Sequence, residues 1–469
     1  MIEPHALPCS TTSSSPERIS RPTLHITSGQ SAAVDAPPIE ILTGFESTYA
    51  PLHDRDVCET NCHVERRCAD LDLLVATGVR RVRYPVRWHR VEETEGELDW
   101  RETDEAMECL AERGLEPIPD LLHHTSHPAW LDFADPRFGP AYLRYVEAFA
   151  RRYPWVESYT LFNEPFSTLL LSGQVGAWPP YYSDIGGMVE LWKNVLPAWS
   201  EASRMCRDLL PHARHFHTDT CERHDGGSPT AALMNDRRFA VLDLLLGIDL
   251  DPARPFFREM VEAGGAELLH MQPGHVDVVG LDYYAHNQWS YQSATDGFAP
   301  TNNPSPLAEL IEEYWERYQR PCLLGETNIR GTAPDRATWF KYTLEQCENA
   351  ALAGVPMEGH CWFPFVDSCD WDSLLRRSDG NIDPVGIYWL DEQLDRHPSS
   401  ISTSFALAAG GCRASELPAY EFQQPIAHWI RGWMPQMAHW KFEQPPRDER
   451  APEAKAEAFD PLGALEIAA

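Results

Sequence analysis

Leu161-Phe162-Asn163-Glu164-Pro165-Phe166 and Pro321-Cys322-Leu323-Leu324-Gly325-Glu326-Thr327-Asn328 are the stretches that decide how this chain folds. Each is a short apolar run that closes on a glutamate and then breaks into loop-forming residues. The first continues Val156, Tyr159 and Leu161, which read as a buried strand, so Glu164 falls where a strand opens into a loop. Glu326 stands in the same kind of place much later in the chain.

Working outward from these two, strand-like and helix-like stretches alternate. Candidate strands cover 40–45, 81–86, 116–121, 156–162, 213–218, 276–281, 321–325 and 357–363. The stretches 64–76, 102–113, 141–152 and 337–353 read as helices, stopped in turn by Gly78, Gly114, Pro154 and Gly354. Glycine or proline just past a helix is the expected stop. Strands alternating with helices in this way predict a closed α/β architecture, the parallel (β/α)8 TIM barrel. An open doubly wound sheet fits less well, because no G-x-G-x-x-G follows any strand.

The barrel is expected over residues 41–395, after a disordered leader at 1–40 that is rich in Ser, Pro and Thr. Residues 396–444 carry Phe422, Trp429, Trp433 and Trp440 and read as a segment packed on the barrel. Residues 445–469 turn charged and Pro/Ala-rich, and read as a disordered tail.

The chain has 469 residues, 43% of them hydrophobic, and no apolar run long enough for a membrane span. Its formal charge of −32, with lysine confined to Lys193, Lys341, Lys441 and Lys455, disfavours nucleic acid and anionic lipid as partners. The leader has no apolar core of a secretory signal, so a cytoplasmic location is expected. The 12 cysteines then read as reduced thiols. Cys58, Cys62, His63 and Cys68 match no C-x2-C metal spacing, and no metal is expected there.

Functional residues of such a barrel sit at the C-terminal ends of its strands. A carboxylic acid beside a carboxamide, as in Asn163-Glu164, suits proton delivery to a leaving oxygen while the amide holds a neighbouring hydroxyl. A second acid, Glu326, at another strand end completes the minimum kit of a retaining glycosidase. The other strand ends supply Arg83-Tyr84-Pro85-Val86-Arg87-Trp88, His123-His124-Thr125-Ser126-His127-Pro128, Asp282-Tyr283-Tyr284, and Trp362-Phe363-Pro364-Phe365-Val366-Asp367 followed by Asp370-Trp371.

Taken in this order and spacing, these stretches resemble glycoside hydrolase family 1, the β-glucosidase and β-galactosidase family, over roughly residues 41 to 391. The resemblance implies Glu326 as nucleophile and Glu164 as acid/base, with Arg83 and Tyr284 beside the nucleophile. It implies sugar contacts from His124, Asn163, Trp362, Asp370 and Trp371, with Glu46 nearest the place where the family has a glutamine. Gly173, Gly176, Pro179-Pro180, Gly386, Tyr388 and Asp391 follow the family's pattern of turns.

The chain also departs from that pattern. The nucleophile motif reads Gly-Glu-Thr-Asn, Asp282 replaces an asparagine, Asp370 replaces a glutamate, and the eighth-strand tryptophan stands one position early at Trp362. The implied substrate is a small carbohydrate or glycoside, and the implied mechanism needs no cofactor. The sugar and the oligomeric state stay open. A transglycosylase using the same glutamates and a non-catalytic sugar-binding barrel are the alternatives.

Overall fold

The computed structural model describes residues 38–292, 297–423 and 432–449. Most of the expected leader, Trp429, and the chain beyond residue 449 lie outside the described residues.

Eight strands build the centre: β1 Ile41–Gly44, β2 Arg81–Pro85, β3 Glu116–Asp120, β4 Ser158–Tyr159, β5 Arg214–Thr220, β6 Val278–Asp282, β7 Cys322–Glu326 and β8 Met357–Trp362. They pair in the order β3-β2-β1-β8-β7-β6-β5-β4, every pair parallel. The two ends of that order meet. Thr160 N donates to Pro119 O at 2.8 Å and Leu121 N to Thr160 O at 2.9 Å, with Asp120 and Thr160 in a parallel bridge. The sheet is therefore closed, and the fold is the (β/α)8 barrel that the alternation predicts.

All eight strands fall within the expected stretches or overrun them by a residue or two. The exception in length is β4, only Ser158–Tyr159 where 156–162 is expected. The ladder there continues through single bridges, Asn163 facing both His123 and Thr218. That irregular backbone is what bends the chain at Asn163-Glu164.

Alternation along the strands sorts their side chains into two cores. Leu42, Ile118, Phe216, Val278, Leu323, Cys361 and Phe363 form a cluster that fills the barrel's interior. A much larger apolar layer lies between the strands and the helices around them. Those helices include α1 His63–Ala76, α2 Arg101–Glu112, α3 Phe138–Arg152, α4 Pro165–Gly173, α5 Ile185–Leu209, α6 Leu307–Tyr318 and α7 Ala333–Leu352. Gly114 and Gly354 follow α2 and α7 with φ of +65° and +101°, conformations that favour glycine. Both α3 and α7 start earlier than expected. Each takes a proline, Pro140 or Pro334, into its first turn, where an amide hydrogen is not required. Thr332 and Asp335 close a reciprocal cap on α7.

Beyond the barrel, α8 Ser400–Ala409 sets Phe405 against Phe340. Trp433 lies against Tyr283, Trp339 and Tyr342. The expectation of uniformly reduced thiols is corrected at one pair. Cys68 on α1 and Cys109 on α2 form a disulfide, their Cα atoms 6.3 Å apart, because the two helices pack side by side. Cys58 is buried and donates to Glu46 O at 3.2 Å. No helix among the described residues is long and apolar enough to cross a membrane.

Candidate active site

Glu164 leaves β4 with φ +47°, left-handed for a residue that is not glycine. Its N–H donates to Thr218 O at 3.0 Å, and its carbonyl accepts from Thr168 N at 2.8 Å as α4 begins. Pro165 opens that helix, and Asp219 Oδ2 accepts the Phe166 N–H at 2.8 Å. A strained residue pinned on both sides is a common device at functional sites, since packing must hold what the backbone disfavours. Glu326 closes β7, opposite Asp282 at the end of β6, after a register shift at Gly325. These bends aim the acids at one another. Glu164, Asp282 and Glu326 each place a carboxylate oxygen within 4.8 Å of the other two.

Arg83, from the middle of β2, organises the floor. Its guanidinium donates to Glu326 Oε1 at 2.7 Å and Gly325 O at 3.0 Å through one nitrogen. Through another it reaches Asn163 Oδ1 at 2.6 Å and Asp120 Oδ2 at 3.2 Å. Tyr284 donates to the other oxygen of Glu326 at 2.8 Å. Both oxygens of Glu326 are therefore held by donors, which fixes the orientation of its carboxylate. Asn163 Oδ1 also accepts from Thr218 Oγ1 at 2.9 Å. Its amide nitrogen is buried and has no partner among the described residues, which leaves a donor for a ligand hydroxyl.

Burial, then the negative charges of Glu326 and Asp219, push the Glu164 carboxyl well above the usual carboxylate range. Asp219 is itself raised to about 7 by burial, against the backbone N–H groups it accepts. One acid that keeps its proton beside another held by Arg83 and a phenol is the division of labour that acid and nucleophile require.

The wall of the site is built from β1, β3 and the loop after β8. Glu46 Oε1 accepts from Ser47 N, Thr48 N and Thr48 Oγ1 at 3.0, 2.8 and 2.7 Å. It also lies 3.3 Å from His123 Nε2. His123 Nδ1 contacts Asp120 Oδ2 at 2.8 Å. Burial opposes the charge on His123, but Glu46 and Asp120 outweigh it and hold the imidazolium up to about 10. Glu46 falls to about 2, with His123 and Thr48 overcoming burial. His124 turns the other way. Its Nδ1 meets Thr168 Oγ1 at 2.8 Å, and its ring stacks on Trp371 at 5.5 Å, with Trp178 5.0 Å away.

Two of the expected sugar contacts are used otherwise. Trp362 is fully buried and points out of the barrel, its indole nitrogen on Val385 O at 3.0 Å and its ring against Phe340. Strand alternation gives the inward place to Phe363, which lies 5.6 Å from the His123 ring and 5.0 Å from the Arg83 guanidinium. Asp370 is 1% exposed and spent on its own loop, accepting from Gly380 N at 3.1 Å and Asn381 N at 2.8 Å and pairing with Arg55. The remaining expected residues surround the carboxyl cluster or its wall.

Sequence reasoning passed over His123, Asp120, Thr218, Asp219 and Phe363 as site residues. The polar run His217-Thr218-Asp219-Thr220 at the end of β5 is the sequence signal that marks two of them. The same three carboxyls are the described group that could hold a metal ion, though a cation there would occupy both glutamates. A groove of about 710 Å³ lined by Arg87, Arg90, Glu93, Glu97, Arg101 and Glu102 lies elsewhere. Arg87 and Arg90 there pair with neighbouring glutamates, and Arg101 with Asp99.

No family model matches the chain. In sequence it is 21% identical over 412 residues to furostanol glycoside 26-O-beta-glucosidase of Hellenia speciosa, covering 72% of each. It is 21% identical over 416 residues to beta-glucosidase A of Thermotoga maritima, covering 77% of this chain and 89% of that one. Among solved structures it resembles the family 1 β-glucosidase from Thermotoga maritima, with a TM-score of 0.64 at 18% identity over 75% of this chain and 88% of that one. The complex of the Thermotoga maritima enzyme with cyclophellitol gives a TM-score of 0.67 at 16% identity over 81% and 99%.

Proposed function

We propose that this divergent relative of the family 1 β-glucosidases is a glycoside hydrolase that cleaves β-linked O-glycosides with retention of configuration. The observation that carries the reading is the spacing of Glu164 and Glu326, whose nearest oxygens lie within 4.8 Å. Retaining enzymes hold their carboxyls about 5–5.5 Å apart, whereas inverting ones need about 6.5–9.5 Å to admit a water between sugar and base. An oxygen-to-oxygen approach within 4.8 Å is in keeping with the shorter, retaining spacing.

In the first half-reaction, Glu326 attacks the anomeric carbon as Glu164 gives its proton to the glycosidic oxygen. The aglycone leaves as an alcohol, and the sugar stays as an ester of Glu326. In the second, Glu164, now a carboxylate, takes a proton from water. The resulting hydroxyl displaces Glu326 from the same face that the aglycone left. Arg83 and Tyr284 hold Glu326 in line for its attack and then for its departure, and the free amide hydrogens of Asn163 suit the hydroxyl next to the anomeric carbon.

The relatives are named as beta-glucosidases, which makes β-glucosides the first substrates to try. The wall differs enough to alter the preferred sugar, since Asp370 faces its own loop and Glu46 is an anion paired with His123. A screen of nitrophenyl β-glycosides (gluco, galacto, fuco, xylo and 6-phospho) tests the reading, with the first-formed anomer of the best substrate followed by proton NMR. The β-anomer is expected first. The α-anomer as first product would exclude retention, and no hydrolysis of any member would favour the sugar-binding alternative.

A further inference from the structure

Asp282 is a third carboxyl that the two-glutamate mechanism leaves unused. It is fully buried, and neither of its oxygens has a hydrogen-bond partner among the described residues. Other buried acids at this end of the barrel are partnered: Asp120 by Arg83 and His123, Glu46 by Ser47 and Thr48, Asp370 by Arg55 and two backbone amides. Its position is built for it. A side chain at Gly325 would meet Asp282 Oδ1 at 2.5 Å, so the absence of one at that position leaves the space in which the carboxyl lies. From there Asp282 reaches within 4.8 Å of both Glu164 and Glu326.

The groups that bear on it are Glu326 from β7, Glu164 from the loop after β4, Asp219 from β5 and Arg83 from β2. Arg83 is the sole cation of that set; its two terminal nitrogens are committed to Glu326, Asp120, Asn163 and Gly325 O, and its Nε makes no hydrogen bond to Asp282. A buried carboxylate without a donor is costly in a place already holding the charge of Glu326, so the cluster must retain protons.

We propose that Asp282 is a second proton-holding carboxyl beside Glu164, whose charge, once it ionises, keeps Glu164 in its acid form to higher pH than a lone acid/base would allow. Burial, then Glu326 and Glu164, raise the Asp282 carboxyl well above its ordinary range, in keeping with that role. Aspartic acid is intrinsically the stronger acid of the two, so Asp282 gives up its proton first. The anion left behind, with Glu326, then opposes ionisation of Glu164.

Two measurements on the full chain test this, the first resting on the glycosidase reading and the second independent of it. In profiles of kcat/KM against pH, Asp282→Asn should move the alkaline limb to lower pH by about one unit, since a like charge a few ångströms away is removed. An unmoved limb overturns the proposal. In infrared difference spectra at neutral pH, Glu164→Gln should retain a protonated-carboxyl band that the double variant Glu164→Gln/Asp282→Asn lacks. Identical spectra from the two would mean that Asp282 carries no proton, and the proposal falls. If the wild type hydrolyses no glycoside, the function proposed above fails while the infrared comparison still decides this one.

Discussion

Tyr284 gives a clean reading of how much one contact at the proposed nucleophile is worth. Its hydroxyl donates to Glu326 Oε2 at 2.8 Å, while its backbone is fixed separately by Asn287 Oδ1. A hydrogen bond to a charged group contributes about 1.5–3 kcal/mol. Tyr284→Phe should therefore lower kcat/KM by about ten- to a hundred-fold. Unchanged kinetics would mean that Glu326 is held by Arg83 alone. The residues that the structure brings together here, Asn163, Glu164 and Glu326, were legible because such chemistry is expected at strand ends and from particular residue types. Side-chain direction was not legible. Sequence gives no way to tell whether His123 or His124 meets Glu46, or whether Trp362 or Phe363 faces inward, since one step along a strand reverses the face. Asp370 is a case of another kind. Its type suits a sugar, but the turn at 370–381 claims both oxygens first.

Strand and helix positions were readable for physical reasons. Parallel barrel strands are buried on both faces and show as short apolar runs, and glycine or proline marks the helix ends. What could not be read was irregularity. β4 contracts to two residues, and the register between β6 and β7 shifts at Gly325. Both irregularities fall next to the acids they position. Gly325→Ala tests the second, because a methyl group there would crowd Asp282 Oδ1 at 2.5 Å and Thr218 Cγ2 at 3.1 Å. Overpacking of this kind typically costs about 1–3 kcal/mol. Denaturant unfolding should show a loss of that order together with reduced turnover. Full stability and full activity would mean that the β6–β7 shift does not depend on the glycine.

Across the whole molecule, negative charge dominates, and the barrel mouth concentrates it where a cation-like sugar transition state would form. The mouth is stabilised by alternating charges: Glu326, Arg83, Asp120, His123, Glu46. His123 titrates near 6.5 when unfolded and about 10 when folded, so it binds its proton more tightly in the native state. Its contribution is therefore complete below about 6.5 and disappears as pH rises to about 10. The melting-temperature gap between wild type and His123→Gln should accordingly narrow over that range; a constant gap would show that the imidazole is not charged in the fold. The central claim is the division of roles between two glutamates, and nucleophile rescue tests it most directly. Glu326→Gly should lose hydrolysis and regain turnover with azide, giving the inverted α-glycosyl azide. Glu164→Ala on a nitrophenyl glycoside should give the β-glycosyl azide with retention, because the ester on Glu326 still forms. The same anomer from both variants, or near-native hydrolysis by Glu326→Gly, would contradict the account.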